Sequence, residues 1–188
     1  LRNYDVDVVF VDGIMDDVAT EIIEYVKKEQ ITSPVLLFTN SRGESERLSS
    51  ILKQKTSINV ELHHGSLSRQ VREETEDILR EGKSGIVVCT SSLELGLDIG
   101  SVELVIQYGS PRQVSKFMQR IGRSKHNRGD SARGLIITES ADDEFEIQAI
   151  IERIKEGSIE EQRIHNGSLD VLAHHLVGLS MQVGNVPI

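Results

Sequence analysis

Gln119-Arg120-Ile121-Gly122-Arg123 is the stretch whose residue types best suit chemistry. Its two guanidiniums stay charged and present planar forks of donors that match phosphate oxygens. The glycine between them lets backbone come close to whatever they hold. A solvated helix face carrying two arginines is the plain alternative. Ser41, Arg42, Gly65, Ser66 and Thr90 form a second group. Backbone amides entering helices, helped by short polar side chains, hold phosphodiester oxygens without reading base identity. Ordinary helix capping competes with that use; Ser68 reads as a cap, and Ser41 suits either role. Asp98 stands two residues after Gly96 among small and apolar residues, where a carboxylate needs solvent or a donor. A ribose hydroxyl or an arginine such as Arg123 meets that need. His126 follows Arg123 by three.

Other chemistries find no footing. The adjacent pairs His63-His64 and His174-His175 cannot both aim at one metal from regular structure, and no Cys/His cluster accompanies them, so no metal site is expected. His63 is expected to face the sheet surface. A Gly-x-x-x-x-Gly-Lys-Ser/Thr phosphate loop is missing, as are Gly-x-Gly-x-x-Gly and Gly-x-Ser-x-Gly. That counts against a self-contained phosphotransferase, a dinucleotide-binding oxidoreductase and a serine hydrolase. The segment by itself is expected neither to bind ATP tightly nor to hydrolyse it.

The 188 residues suffice for one ordinary domain with a short appendage. No apolar run reaches the length of a bilayer span, so no membrane partner is expected. Cys89 is the only cysteine, which excludes an intrachain disulfide and predicts a reducing, cytoplasmic setting. Leu1 in place of a methionine predicts a segment of something longer. The net charge of −9 argues against binding nucleic acid by bulk electrostatics. Yet Arg112, Lys116, Arg120, Arg123, Lys125, Arg128 and Arg133 fall close together along the chain, predicting a basic patch, used or merely solvated.

The elements that must position these residues read as alternating strands and helices. Val6–Val11, Val35–Thr39, Val60–His63, Ile86–Cys89, Leu104–Ile106 and Leu135–Ile137 are aliphatic strands, several buried on both faces. Helices are expected from Asp16 as cap to about Glu29, after Asn40-Ser41-Arg42-Gly43 to about Gln54, from Ser68 to near Gly82, and from Ala141 to Lys155. Ser140 and Asp143 have capping-box spacing. The Gln119–Arg123 stretch is expected to open or lie in a helix. The fold class is α/β, a largely parallel central sheet flanked by helices, in which loops leaving the carboxyl ends of strands line the binding crevice. Asn40, Ser41 and Arg42 lie on one such loop, Gly65, Ser66 and Arg69 on the next, and Thr90, Ser91 and the residues to Gly100 on a third. After Gly157 the pattern stops, and Ser168 is expected to cap a short helix over 169–179. The domains are thus 1–157 and a helical extension at 158–188.

Thr90-Ser91-Ser92-Leu93-Glu94-Leu95-Gly96-Leu97-Asp98 resembles motif V of superfamily 2 helicases, and Gln119-Arg120-Ile121-Gly122-Arg123 resembles motif VI. Leu37 to Arg42 is similar to motif IV, and His64-Gly65-Ser66-Leu67-Ser68-Arg69 to the adjoining nucleic-acid-contacting motif. Together they mark a second RecA-like domain. Ser92 to Gly100, Gly109-Ser110-Pro111-Arg112 and Leu169 to His175 resemble the large helicase-related (Lhr) family in particular. The resemblance implies ATP-driven 3′ to 5′ translocation on single-stranded nucleic acid or a tailed duplex. ATP with Mg²⁺ would be held mainly by an upstream RecA-like domain of the same chain. It makes Arg123 the arginine finger and Arg120 its support or a second phosphate contact, with Gly96, Asp98, Gln119 and His126 also at the ATP. Asn40, Ser41, Arg42, Gly65, Ser66, Arg69, Thr90 and Ser91 would meet the strand. Many relatives have arginine where His126 stands. Residues 158–188 would begin a winged-helix domain. The alternative is a RecA-like module that binds nucleic acid or a protein without taking part in hydrolysis.

Overall fold

The computed structural model describes residues 4–83, 85–94, 99–100, 102–124, 132–160 and 167–183. Six strands, β1 (Tyr4–Phe10), β2 (Val35–Phe38), β3 (Val60–His63), β4 (Ile86–Cys89), β5 (Leu104–Tyr108) and β6 (Ala132–Thr138), form one sheet in the order β1-β6-β5-β2-β4-β3. Every pairing among them is parallel. Burial on both faces explains the unbroken aliphatic runs: β2, β4 and β5 are buried throughout.

Side-chain alternation divides the core in two. Val35 and Leu37 of β2, Ile86 and Val88 of β4, and Leu104 and Ile106 of β5 point to one face. There they meet Ile22, Val26, Leu48 and Leu52 of α1 (Met15–Lys28) and α2 (Arg42–Lys55). Leu36, Phe38, Val87, Cys89 and Val105 point the other way, with Leu79 of α3 (Arg69–Arg80) and Leu93 of a 3₁₀ turn at Ser91–Leu93. On that second face α4 (Val114–Ile121) and α5 (Ala141–Lys155) pack Phe117, Ile121, Ile147 and Ile150 over Ile136 of β6. Gly134 permits the close approach of α4, since a Cβ there would lie 2.1 Å from Ile121 Cδ1.

Helix starts largely follow their predicted chemistry. Ser41 and Glu44 form a complete capping box, and Ser68 Oγ accepts from Val71 N–H. Asp16 is not a cap: α1 begins after Ile14, whose N–H donates to Asp17 Oδ2 at 2.9 Å, while Asp16 pairs with Lys55 of α2. At α5, Ser140 Oγ accepts from Asp143 N–H, but the Asp143 carboxylate does not reach back. It accepts from Ser110 N–H and pairs with Arg112, fastening the loop after β5.

The final helix, α6 (Leu169–Val183), extends beyond the expected Leu179. It exposes Leu169, Val171, Leu172, Leu176, Val177, Leu179 and Met181. Among the described residues no helix is long and apolar enough to cross a membrane.

Candidate functional site

β2 sits at the point where the sheet changes direction, with β5 on one side and β4 then β3 on the other. β2 leads into α2 on one face and β5 into α4 on the opposite face, so their carboxyl ends open a crevice at a topological switch. Asn40, just past β2, bridges it by donating from Nδ2 to Ser110 O at 2.7 Å.

Strand order also brings three loops into one row. Asn40, Ser41 and Arg42 follow β2, Thr90 and Ser91 follow β4, and Gly65, Ser66 and Arg69 follow β3. All are exposed except Thr90, which is half-buried. Backbone bonds join the row, Thr39 N–H to Cys89 O at 2.9 Å and Thr90 N–H to His63 O at 3.3 Å. Arg42 and Arg69 each pair with a glutamate one helical turn on, Glu46 and Glu73.

The two adjacent histidines shape this row from beneath. His64 Nδ1 accepts from Ser66 N–H at 3.3 Å, which fixes the 64–66 turn and leaves Nε2–H 3.3 Å from Glu46 Oε1. His63 is not on the sheet surface but buried under α3, with 1% of its area exposed. Its Nε2 lies 3.2 Å from Glu76 Oε1 and its Nδ1 2.8 Å from Ser92 Oγ. The Glu76 carboxylate accepts from Nε2–H, and Ser92 Oγ also donates to the His63 backbone oxygen at 3.1 Å, so the residue is held by side chain and main chain together. Burial lowers the basicity of this ring below the ordinary 6.5, outweighing the raising effect of Glu76.

Of the two placements expected, the arginine stretch lies in a helix, at its end. Gln119, Arg120 and Ile121 occupy the last turn of α4, Gly122 is its C-cap and Arg123 lies just beyond. Arg120 is 4% exposed and stacks over Phe38, its guanidinium carbon 5.2 Å from the ring centre. Its Nε donates to Glu94 Oε1 at 2.7 Å and Nη2 to the same oxygen, while Nη1 donates to Gln107 Oε1 and to Asn40 Oδ1. Arg123 is half-exposed and donates from Nε and Nη2 to the backbone carbonyl of Glu94, at 3.0 and 2.9 Å. One residue therefore gathers both arginines, Arg120 on its carboxylate and Arg123 on its carbonyl. Gln119 is half-buried on α4. Gly96, Asp98 and His126 lie outside the described residues.

Among the described residues of the expected basic patch, Arg112, Arg120 and Arg133 lie apart. Arg112 is bound to Asp143 and Glu146 beyond the end of β5, whereas Arg133, near the start of β6, is bound to Glu29 and approaches Glu103. Arg120 is interior; Lys125 and Arg128 lie outside the described residues. Glu94, Gln107 and His63 were not singled out as site residues by their types. The available signal was a polar side chain inside an aliphatic segment: Gln107 between Ile106 and Tyr108, Glu94 between two leucines.

The model of the family described as helicase conserved C-terminal domain matches residues 16–127. ATP-dependent helicase Lhr-Core of Methanocaldococcus jannaschii is 45% identical over 147 residues, covering 78% of this chain and 18% of that protein. Lhr helicase/uracil glycosylase of Escherichia coli is 33% identical over 192 residues, 85% of this chain and 12% of that protein. Among solved structures, Mycobacterium smegmatis helicase Lhr bound to ssDNA and AMP-PNP superposes with a TM-score of 0.83 at 34% identity, over 97% of this chain and 25% of that one. The C-terminal domain of the DEAD-box protein Dbp5, at 22% identity and a TM-score of 0.64, covers 94% of this chain and 98% of its own, a likeness of fold. The architecture is the RecA-like one, and the chain spans about a fifth of the length of these Lhr-Core relatives.

Proposed function

This chain belongs to the helicase conserved C-terminal domain family of superfamily 2, and from that premise we propose that it is the second motor domain of an ATP-dependent nucleic-acid translocase of the Lhr type. The observation that carries the reading is the double grip of Glu94 on Arg120 and Arg123. Arg123 is the arginine finger, presented to the γ-phosphate of an ATP held with Mg²⁺ mainly by an upstream RecA-like domain. Its planar fork and permanent charge fit the spread negative charge of the phosphoryl transition state. Arg120 acts as its support: a guanidinium held by Glu94, Gln107 and Phe38 fixes the end of α4 from which Arg123 departs.

The row of Asn40, Ser41, Arg42, Gly65, Ser66, Arg69, Thr90 and Ser91 tracks the backbone of a single strand or the tail of a duplex. Its donors are amides, hydroxyls and guanidiniums, which suit phosphate oxygens and leave bases unread. Gly96 and Asp98 serve the ribose, and Gln119 and His126 complete the nucleotide contacts. Residues 1–157 are the motor domain and 158–188 begin a winged-helix domain. Without a phosphate loop the chain alone does not turn over ATP.

The test is strand-stimulated ATPase activity of the chain joined to its native upstream domain, comparing the unaltered protein with Arg123→Ala. Hydrolysis should fall by about 10³ to 10⁵, the usual contribution of an arginine finger, with ATP binding retained. Unchanged hydrolysis removes the finger assignment and leaves a module that binds without catalysing.

A further inference from the structure

Arg123 can act from a fixed position only if α4 is held along its axis, and the two ends of that helix are held differently. At its C-terminal end the grip is Glu94 on Arg120. At its N-terminal end no local cap exists, because Gln113, the N-cap residue, makes no side-chain bond to the helix. The first amides of a helix need acceptors that the helix itself cannot provide. They find them far away in sequence: Glu160, beyond the end of α5, accepts from Val114 N–H with Oε1 at 2.7 Å and from Ser115 N–H with Oε2 at 3.0 Å.

Each of these bonds joins an ionised oxygen to an amide at the positive end of a helix, a favourable arrangement twice over. Partial burial pushes the carboxyl up, but the Val114 and Ser115 amides outweigh it and hold the group down at about 2, so it remains ionised at any assay pH. Arg153 of α5, whose Nη1 is 3.5 Å from Glu160 Oε1, adds a cation beside the carboxylate. Between the two grips Val114, Phe117 and Ile121 are fully packed, so α4 has no soft contact along its buried face.

We infer that Glu160 is a positioning residue for Arg123: its carboxylate sets the axial register of α4 and ties the reach of the arginine to the segment that follows α5. The inference rests on the finger role proposed above for Arg123. It makes the motor helix answer to two carboxylates, one on the loop after β4 and one past the end of α5. Any displacement of residue 160 is delivered to the helix through two hydrogen bonds.

The experiment uses the native polypeptide carrying this chain and its upstream domain, with Glu160→Ala, Glu160→Gln and Arg123→Ala. Steady-state ATPase at saturating oligo-dT gives kcat and KM for ATP, and hydrogen exchange by mass spectrometry follows the peptide spanning 113–121. Glu160→Ala should speed exchange at the start of that peptide and lower kcat by about 10- to 100-fold, the scale of an ångström misplacement, with KM unchanged. Glu160→Gln, which keeps one acceptor and loses the charge, should fall between. Faster exchange with unchanged kcat reduces Glu160 to a cap and overturns the inference alone. Unchanged exchange shows that the contact is not made in solution and overturns it as well. If Arg123→Ala leaves hydrolysis intact, the finger reading fails and this inference fails with it.

Discussion

A guanidinium is tolerated in a protein interior only where its donors are met and its charge is answered, and Arg120 satisfies both conditions. Glu94 supplies the charge, Gln107 and Asn40 supply further oxygens, and Phe38 covers the flat face. The polar side of Gln107 is used as fully as its position demands, since its Nε2 also donates to Tyr108 O and Gly109 O. Removing Glu94 would leave the arginine charged, buried and unanswered. Glu94→Ala should therefore lose about 3–5 kcal/mol of unfolding free energy, whereas Glu94→Gln, which keeps the volume and one acceptor, should lose less. Urea denaturation of the chain checks this, and a loss below about 1 kcal/mol for the alanine variant would remove the pair from the core's supports. From sequence the two arginines were legible as a pair of residue types suited to phosphate. Their different fates were not, because Glu94 and Gln107 stand 26 and 13 residues away from Arg120 and no local spacing links them.

At the scale of elements, what could be read was whatever local chemistry decides. Continuous aliphatic runs gave all six strands to within a few residues, and Ser41, Ser68 and Ser140 announced helices because a cap acts on amides two or three positions away. What could not be read depends on neighbours brought in by the fold. Asp143 left its own helix for Ser110 and Arg112. His63 is another such case, a residue that joins β3 to α3 and to the turn after β4. Its ring is less basic folded than unfolded, so acid favours the unfolded chain, which takes up the proton more readily. The contribution is complete above the ordinary value of 6.5 and is lost as pH falls through the lower folded value. The melting temperature should decline on acidification below 6.5, and His63→Gln should flatten that decline. An identical pH dependence in the variant would show that His63 does not titrate with unfolding.

Across the whole molecule the formal charge of −9 and a strand-binding role are compatible only if contact with nucleic acid is local. The distribution of ion pairs supports that arrangement. Arg112 and Arg133 are tied to carboxylates at opposite ends of the sheet, and Arg120 is interior. Of the proposed contact residues, Arg42 and Arg69 alone carry formal positive charge, and each rests in an exposed pair with a glutamate on its own helix. Exposed pairs of this kind hold weakly, so a phosphate can replace the glutamate without a large penalty. Two cations on a single strand predict a shallow salt dependence, with log K falling against log salt at a slope of about −1.4, since each phosphate neutralised adds roughly −0.7. Fluorescence anisotropy of the chain with labelled oligo-dT between about 50 and 200 mM salt measures it. Arg42→Ala and Arg69→Ala should each flatten the slope by about 0.7 and weaken binding to every sequence alike. A slope steeper than about −3 would require cations beyond these two, and a slope indifferent to both substitutions would move the strand off the row formed by β2, β4 and β3.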